Sequence, residues 1–283
     1  MIAFDRIAVE LLPVQAGGMK AHSTVQDVGD QARADLADLI DLQMSPLGLV
    51  AMDALAPAAG QTILDVGCGA GETILQLADR VGPTGRVIGV DVAPRVLAVA
   101  ATRAAHLSQV TLLQEDAASL ALPDQSVDGV FSRFGTMFFA DPTQAFANIH
   151  RILRRGGRVG FICWRSMQEN ELDFFPVEAA GLKITVDATP FSFENADTIN
   201  LVLRSAGFEC ICVKAYDADI SSGDADAMLR VITRVGALGK VLRETPALLS
   251  KAEPQVRAAL RARERGGKVS LGAATWIVTA TAA

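Results

Sequence analysis

Three carboxylates that each close a short apolar run, together with one glycine-rich turn, are the residues of this chain best suited to chemistry. The turn is Asp65-Val66-Gly67-Cys68-Gly69-Ala70-Gly71, directly after the β-rich run Thr62–Val66. Glycine in a strand-to-helix turn lets the backbone bend sharply and approach a ligand with no Cβ in the way. The spacing is G-x-G-x-G, and Glu72 stands where a dinucleotide site of the G-x-G-x-x-G kind has its third glycine. A carboxylate facing a diphosphate is electrostatically unfavourable, which argues against an NAD(P)-dependent oxidoreductase.

Asp65, two residues before the first glycine, suits a ligand that carries a positive amino group. Asp91 ends Val87-Ile88-Gly89-Val90-Asp91 and is placed to accept hydrogen bonds from both hydroxyls of a ribose. Asp116, in Leu113-Gln114-Glu115-Asp116-Ala117, is placed to accept from an adenine amino group, with Val92 over the adenine face. A single Asp at a strand end often does no more than cap the next helix or turn the chain. Three after successive strands, the first joined to the glycine turn, point to adenosine with a cationic amino-acid tail and no phosphate. S-adenosylmethionine has that chemistry.

The elements that must position these groups follow from periodicity. Thr62–Val66, Arg86–Asp91, Val110–Gln114, Val127–Ser132 and Arg158–Trp164 read as strands, separated by helical patterns at Glu72–Val81, Pro94–Leu107 and Asp141–Leu153. Apolar strands alternating with helices imply a mostly parallel, doubly wound α/β sheet. Upstream, residues 1–30 lack a sustained period and read as an arm, and Ala32 to Leu55 reads as two helices broken near Ser45-Pro46. Downstream, Met167 to Phe193 resists assignment. A helix capped by Asn195 runs to Gly207, Phe208–Ala215 and Ala274–Thr281 read as strands, and two amphipathic patterns lie between them. The domain reading is therefore an arm with covering helices (1–55), a ligand-binding domain (56–216 and 273–283) and a helical cap (217–272).

From Thr62 to Trp164 the chain resembles the class I S-adenosylmethionine-dependent methyltransferases, most of all the small-molecule methyltransferases of the ubiquinone/menaquinone-biosynthesis type. The resembling segments are Ile63–Gly71, Gly85–Val96, Gln114–Ala117, and Ser132-Arg133-Phe134-Gly135-Thr136-Met137-Phe138-Phe139-Ala140-Asp141-Pro142 leading to Leu153–Arg158. Arg155 replaces the proline usual before the paired glycines. The resemblance implies a Rossmann-like, seven-stranded sheet whose last strand inserts antiparallel. It gives cofactor roles to Asp65, Gly67, Gly69, Asp91, Val92, Asp116 and Ala117, with Ser132 beside the methionine portion. Ser-Arg-Phe-Gly after the fourth strand differs from the Asn/Asp-Pro-Pro-Tyr pattern of enzymes that methylate nucleic-acid or glutamine nitrogen.

Methyl transfer from a sulfonium is an in-line displacement that alignment and exclusion of water can drive, so no base is compulsory. His22, in the arm, and Arg133 are the weak catalytic candidates, while His106 and His150 read as solvent-facing helix residues. The acceptor pocket is expected above the fourth and fifth strands, near Arg133, Phe134, Met137 and Trp164, with Phe138 and Phe139 read as core packing.

Half of the 283 residues are hydrophobic and the net charge is −6, which suits a globular chain and disfavours binding by phosphate neutralisation. Cys68, Cys163, Cys210 and Cys212 read as reduced core thiols without a zinc pattern, so no metal is expected. With no long apolar run and no leader pattern, the expectation is a cytoplasmic monomer or homodimer acting on a small-molecule acceptor, without a membrane or nucleic-acid partner. A catalytically silent S-adenosylmethionine-binding protein is the alternative reading.

Overall fold

The apolar runs around the glycine turn become the middle of one sheet. The computed structural model of the chain describes residues 10–12, 24–182 and 185–283. After β1 (Glu10–Leu12), α1 (Thr24–Asp35) and α2 (Ala37–Leu55) come β2 (Thr62–Val66), α3 (Glu72–Val81), β3 (Arg86–Asp91), α4 (Pro94–Ala104) and β4 (Val110–Gln114). The second half of the alternation is β5 (Val127–Arg133), α5 (Pro142–Ile152) and β6 (Leu153–Trp164). Pro94 and Pro142 start their helices, where the missing N–H costs nothing, and the Asp141 side chain caps α5 by accepting from the Gln144 amide.

The remainder is α6 (Glu171–Ala179), β7 (Thr185–Asp187), α7 (Ala196–Ser205), β8 (Phe208–Ile220), α8 (Ala225–Ile232), α9 (Gly236–Glu244), α10 (Leu249–Arg263) and β9 (Leu271–Ala282). The seven-stranded sheet has the order β4-β3-β2-β5-β6-β9-β8, with β9 antiparallel to both neighbours. This is the expected Rossmann-like arrangement. Helices α2, α3 and α4 pack along one face and α5 and α7 along the other. Phe146 of α5 anchors that second face, its ring 5.4 Å from Phe161 and edge-on to Phe208.

Strand order reverses between β2 and β5, which opens a crevice at their carboxyl ends where ligands of doubly wound sheets sit. The N-terminal helices and helices α8 to α10 pack together: α1 packs on α4 and α9, Arg234 pairs with Asp35 at 2.8 Å, and Gln43 of α2 reaches Met228 of α8. Strand β1 pairs in parallel with β7, which packs against α9.

Several expectations change here. The helix break lies at Leu36 and not at Pro46, which sits inside α2. Burial of Leu47, Ala51, Met52 and Leu55 keeps the helix continuous past the hydrogen bond the proline omits. Helix α1 also begins at Thr24, inside the stretch read as an arm. Strand β8 continues to Ile220, five residues beyond its expected end. It is an edge strand with a register shift between Glu209 and Cys212, so Cys210 and Cys212 are exposed, whereas Cys68 and Cys163 are buried as expected. His150 is no solvent-facing residue: its ring packs edge-on to Phe208 with Nε2 buried.

No described helix is long and apolar enough to cross a membrane.

Candidate functional site

The carboxyl ends of four neighbouring strands form the floor of the site, in the order β4, β3, β2, β5. They bring together Asp116, Asp91, the glycine turn and Ser132–Gly135.

The turn is fixed from beneath and beside. Gly67, Gly69 and Gly71 have φ of +72°, +54° and +87°. The Gly67 and Cys68 amides donate to the Val90 carbonyl of β3. Asp91 completes the link, one oxygen accepting from the Gly69 amide and the other from the Ala93 amide, each at 2.9 Å. A carboxylate has about four lone-pair sites, so both oxygens keep capacity for a ligand. A Cβ on Gly71 would lie 2.8 Å from the Ala100 Cβ, and one on Gly67 would lie 2.9 Å from the Gly135 Cα. One on Gly69 would meet nothing within 4 Å, so there the turn faces open space.

Asp116 is exposed, and one of its oxygens caps the following turn by accepting from the Ala118 amide at 2.9 Å. Val92, beside Asp91, is 48% exposed, and Ala117 is buried. The exposed Val92 thus leaves apolar surface directly after Asp91.

Asp65 does not line this surface. It is completely buried beneath the turn, where Oδ2 accepts from the Thr73 hydroxyl and Oδ1 has no partner. Strand β2 lies between β3 and β5, and all its residues from Ile63 to Val66 are buried. Burial pushes the Asp65 carboxyl up to about 7, against the opposing pull of the Thr73 hydrogen bond and the Arg133 charge. The fold therefore holds a proton that the unfolded chain releases near 3.8, and stability falls as pH rises from about 4 to 7 and then levels off. Asp65→Asn removes this penalty. Relative to the parent, the variant gains on the order of 2 kcal/mol between pH 5 and pH 8. Denaturant melts at both pH values check it, and an unchanged difference between the two proteins overturns the assignment.

Ser132 is 1% exposed, and its hydroxyl donates to the Val66 carbonyl at 2.7 Å and accepts from the Gly135 amide at 3.2 Å. It ties β5 to β2. Arg133 runs against α2 at Gly48, pairing with Glu72 of α3 and, at 3.0 Å, with Asp41 of α2. Glu72 thus faces a guanidinium and not a ligand. Asp41 also pairs with Arg103 of α4 at 2.7 Å, and Arg103 reaches Asp38 and the Ala70 carbonyl.

Phe134 and Trp164 stack with centroids 4.0 Å apart and planes at 17°. Phe134 holds φ +57°, a left-handed conformation costly for a bulky residue, with its amide donating to the Ile162 carbonyl. Met137 is buried and its sulfur accepts from the Trp164 amide. Phe139 packs edge-on to Phe146 as expected, but Phe138 is 57% exposed and belongs to no core. It lies in the short turn that ends before α5 and leaves the sheet surface.

Sequence reasoning missed Thr73, Asp41, Arg103 and Thr136. The last, adjoining Gly135, is 1% exposed with its hydroxyl unpartnered. His22 lies outside the described residues, and His106 is exposed. Among the described residues no three His, Cys, Asp or Glu side chains gather as a metal site.

Residues 64–161 match the family model described as a methyltransferase domain. The chain is 36% identical over 126 residues to the 2-phytyl-1,4-naphtoquinone methyltransferase of Thermosynechococcus vestitus, covering 44% of this chain and 56% of that one. It is 34% identical over 119 residues to the aklanonic acid methyltransferase of a Streptomyces species, covering 41% and 54%. The chain thus spans about half the length of these relatives. In structure it is similar to the phosphoethanolamine N-methyltransferase 2 of Haemonchus contortus, with a TM-score of 0.57 at 20% identity over 91% of this chain and 58% of that one. A methyltransferase from Aquifex aeolicus gives a TM-score of 0.52 at 17% identity over 94% and 100%.

Proposed function

We propose that this chain, whose residues 64–161 are a methyltransferase domain of the class I kind, transfers a methyl group from S-adenosylmethionine to a small-molecule acceptor. The observation that carries the reading is the row of strand ends, in which Asp116, Val92 and Asp91 precede an open glycine turn. The residues fit the group: the space at Gly69 that a Cβ would enter admits a close ligand, and the outward acceptors of Asp91 suit a ribose. Asp116 and Ala117 would hold the adenine edge, Val92 its face, and Gly67 and Gly69 the backbone approach. Asp65 and Ser132 act from beneath, Asp65 through the field of its carboxyl and Ser132 through the β2–β5 tie.

When bound, S-adenosylmethionine supplies an electrophilic methyl on a positively charged sulfur. The chain's part is to align an acceptor with that methyl and keep water out, tasks for the stacked Phe134–Trp164 wall, Met137 and the cover of α1, α2 and the cap. The exposed position of His106 and the Phe208 packing of His150 leave these two without a base role, which favours an acceptor oxygen or carbon that ionises readily. The naphtoquinone and aklanonic acid in the relatives' names support the same preference. The net charge of −6 disfavours a nucleic-acid partner bound through its phosphates.

Calorimetry with S-adenosylhomocysteine and NADP+, followed by turnover on a panel of phenols, enols and carboxylic acids, tests the reading. Binding of the first ligand alone, with methylation of at least one panel member, is expected. Binding without any transfer favours a catalytically silent protein, and preference for NADP+ overturns the cofactor assignment.

A further inference from the structure

We propose that Asp41 on the covering helix α2 competes with the α-carboxylate of S-adenosylmethionine for Arg133, so that entry of the cofactor exchanges one ion pair for another and loosens the first turns of α2 from β5. This rests on the cofactor reading above. If Asp116 takes the adenine and Asp91 the ribose, the strand order β4-β3-β2-β5 directs the amino-acid end of the ligand towards β5, whose last residue is Arg133.

The guanidinium there is held in a way suited to exchange. Arg133 is paired with two acids, Glu72 and Asp41, and Asp41 is paired with two guanidiniums, Arg133 and Arg103. The Asp41–Arg133 contact, 3.0 Å, is the longest of this chain of ion pairs. Breaking it strands no charge, because Asp41 keeps Arg103 and Arg133 keeps Glu72. A carboxylate arriving on Arg133 then replaces a carboxylate, and the desolvation that makes a lone buried ion costly never arises. All three groups are shielded, with side-chain exposures of 12%, 13% and 20% for Arg133, Asp41 and Glu72, so their pairing is little weakened by solvent.

Helix α2 is also shaped for the guanidinium. A Cβ on Gly48 would lie 2.7 Å from the Arg133 Cδ, so the helix carries its smallest residue where the arginine stem crosses it. A cleft of about 460 Å3 between α2, α3 and α4, bordered by Asp41, Glu72 and Arg103, leaves open space beside the ion pairs.

The test compares S-adenosylhomocysteine with methylthioadenosine, which shares the adenosine and thioether but lacks the amino-acid carboxylate. Asp41→Asn should tighten S-adenosylhomocysteine about tenfold by calorimetry, the scale of one charge-assisted hydrogen bond, and leave methylthioadenosine unchanged. Arg133→Gln should weaken the first ligand about tenfold and again spare the second. In the unmodified chain, hydrogen exchange of the α2 amides around Asp41 should quicken with S-adenosylhomocysteine and not with methylthioadenosine, a readout that stands if either variant fails to fold. Equal effects of a substitution on both ligands, or unaltered exchange of α2, overturn the exchange. If methylthioadenosine binds and only these differences are missing, the cofactor reading survives. If neither ligand binds, both fall.

Discussion

Replacing Asp91 with alanine should weaken S-adenosylhomocysteine binding by at least about a hundredfold while the chain stays folded. The factor corresponds to two charge-assisted hydrogen bonds at the lower end of their usual worth. Two losses combine in it. The ribose loses its acceptors, and the Gly69 amide loses the oxygen that holds the turn against β3. The fold survives because Asp91 ends its strand, while Val87 and Val90 keep β3 in the core and the Val90 carbonyl still receives the Gly67 and Cys68 amides. Calorimetry and a thermal melt on the same preparation separate the two outcomes. Unchanged affinity would sink the placement of the ribose, and a collapsed melting temperature would make Asp91 a structural tie alone.

The second large effect comes from two glycines two residues apart whose replacement should fail in opposite ways. Alanine at Gly71 is strained at φ +87° and places a Cβ 2.8 Å from the Cβ and 2.9 Å from the Cα of Ala100, a residue with no exposure of its own. Helices α3 and α4 must part to admit it, and overpacking plus left-handed strain costs about 3 kcal/mol. Alanine at Gly69 carries only the strain, about 1 kcal/mol, because nothing lies within 4 Å. Its methyl instead fills the space offered to a ligand. Gly71→Ala is therefore expected to lower the melting temperature by well over the shift of Gly69→Ala, and Gly69→Ala to abolish cofactor binding in a stable protein. A stable Gly69→Ala chain with full affinity would move the cofactor away from the turn.

The parts of the site that were legible in the sequence are those dictated by local chemistry. A glycine turn after an apolar run and acids at the ends of the next two strands name their own elements, and α3 begins and ends at the residues its period marks. Direction of side chains was not legible. Asp65 and Asp91 look alike along the chain, but one is fully buried inside a central strand and the other ends its strand beside the glycine turn. Arg133 was marked as a charge needing a partner. Its partners Asp41 and Glu72 lie 92 and 61 residues away on two helices, and no periodicity links such positions. The region from Met167 to Phe193 resisted reading because its pieces are short: one nine-residue helix containing Pro176, a three-residue strand and two single turns.

The place of β9 has a consequence for how the protein is made. Strand β8 touches the rest of the sheet only through β9, and β9 meets β6 through pairs such as Phe161 with Val278. On a ribosome, β2 to β6 and their helices emerge and pair through short crossovers, while β8 waits without a partner until the last strand is synthesised. Helices α8 to α10 are tethered between those two strands, so the same late insertion pulls the cap into place. A nascent chain caught before that step has the strand ends that carry Asp91 and Asp116 and lacks docked helices α8 to α10, so the two regions mature in that order.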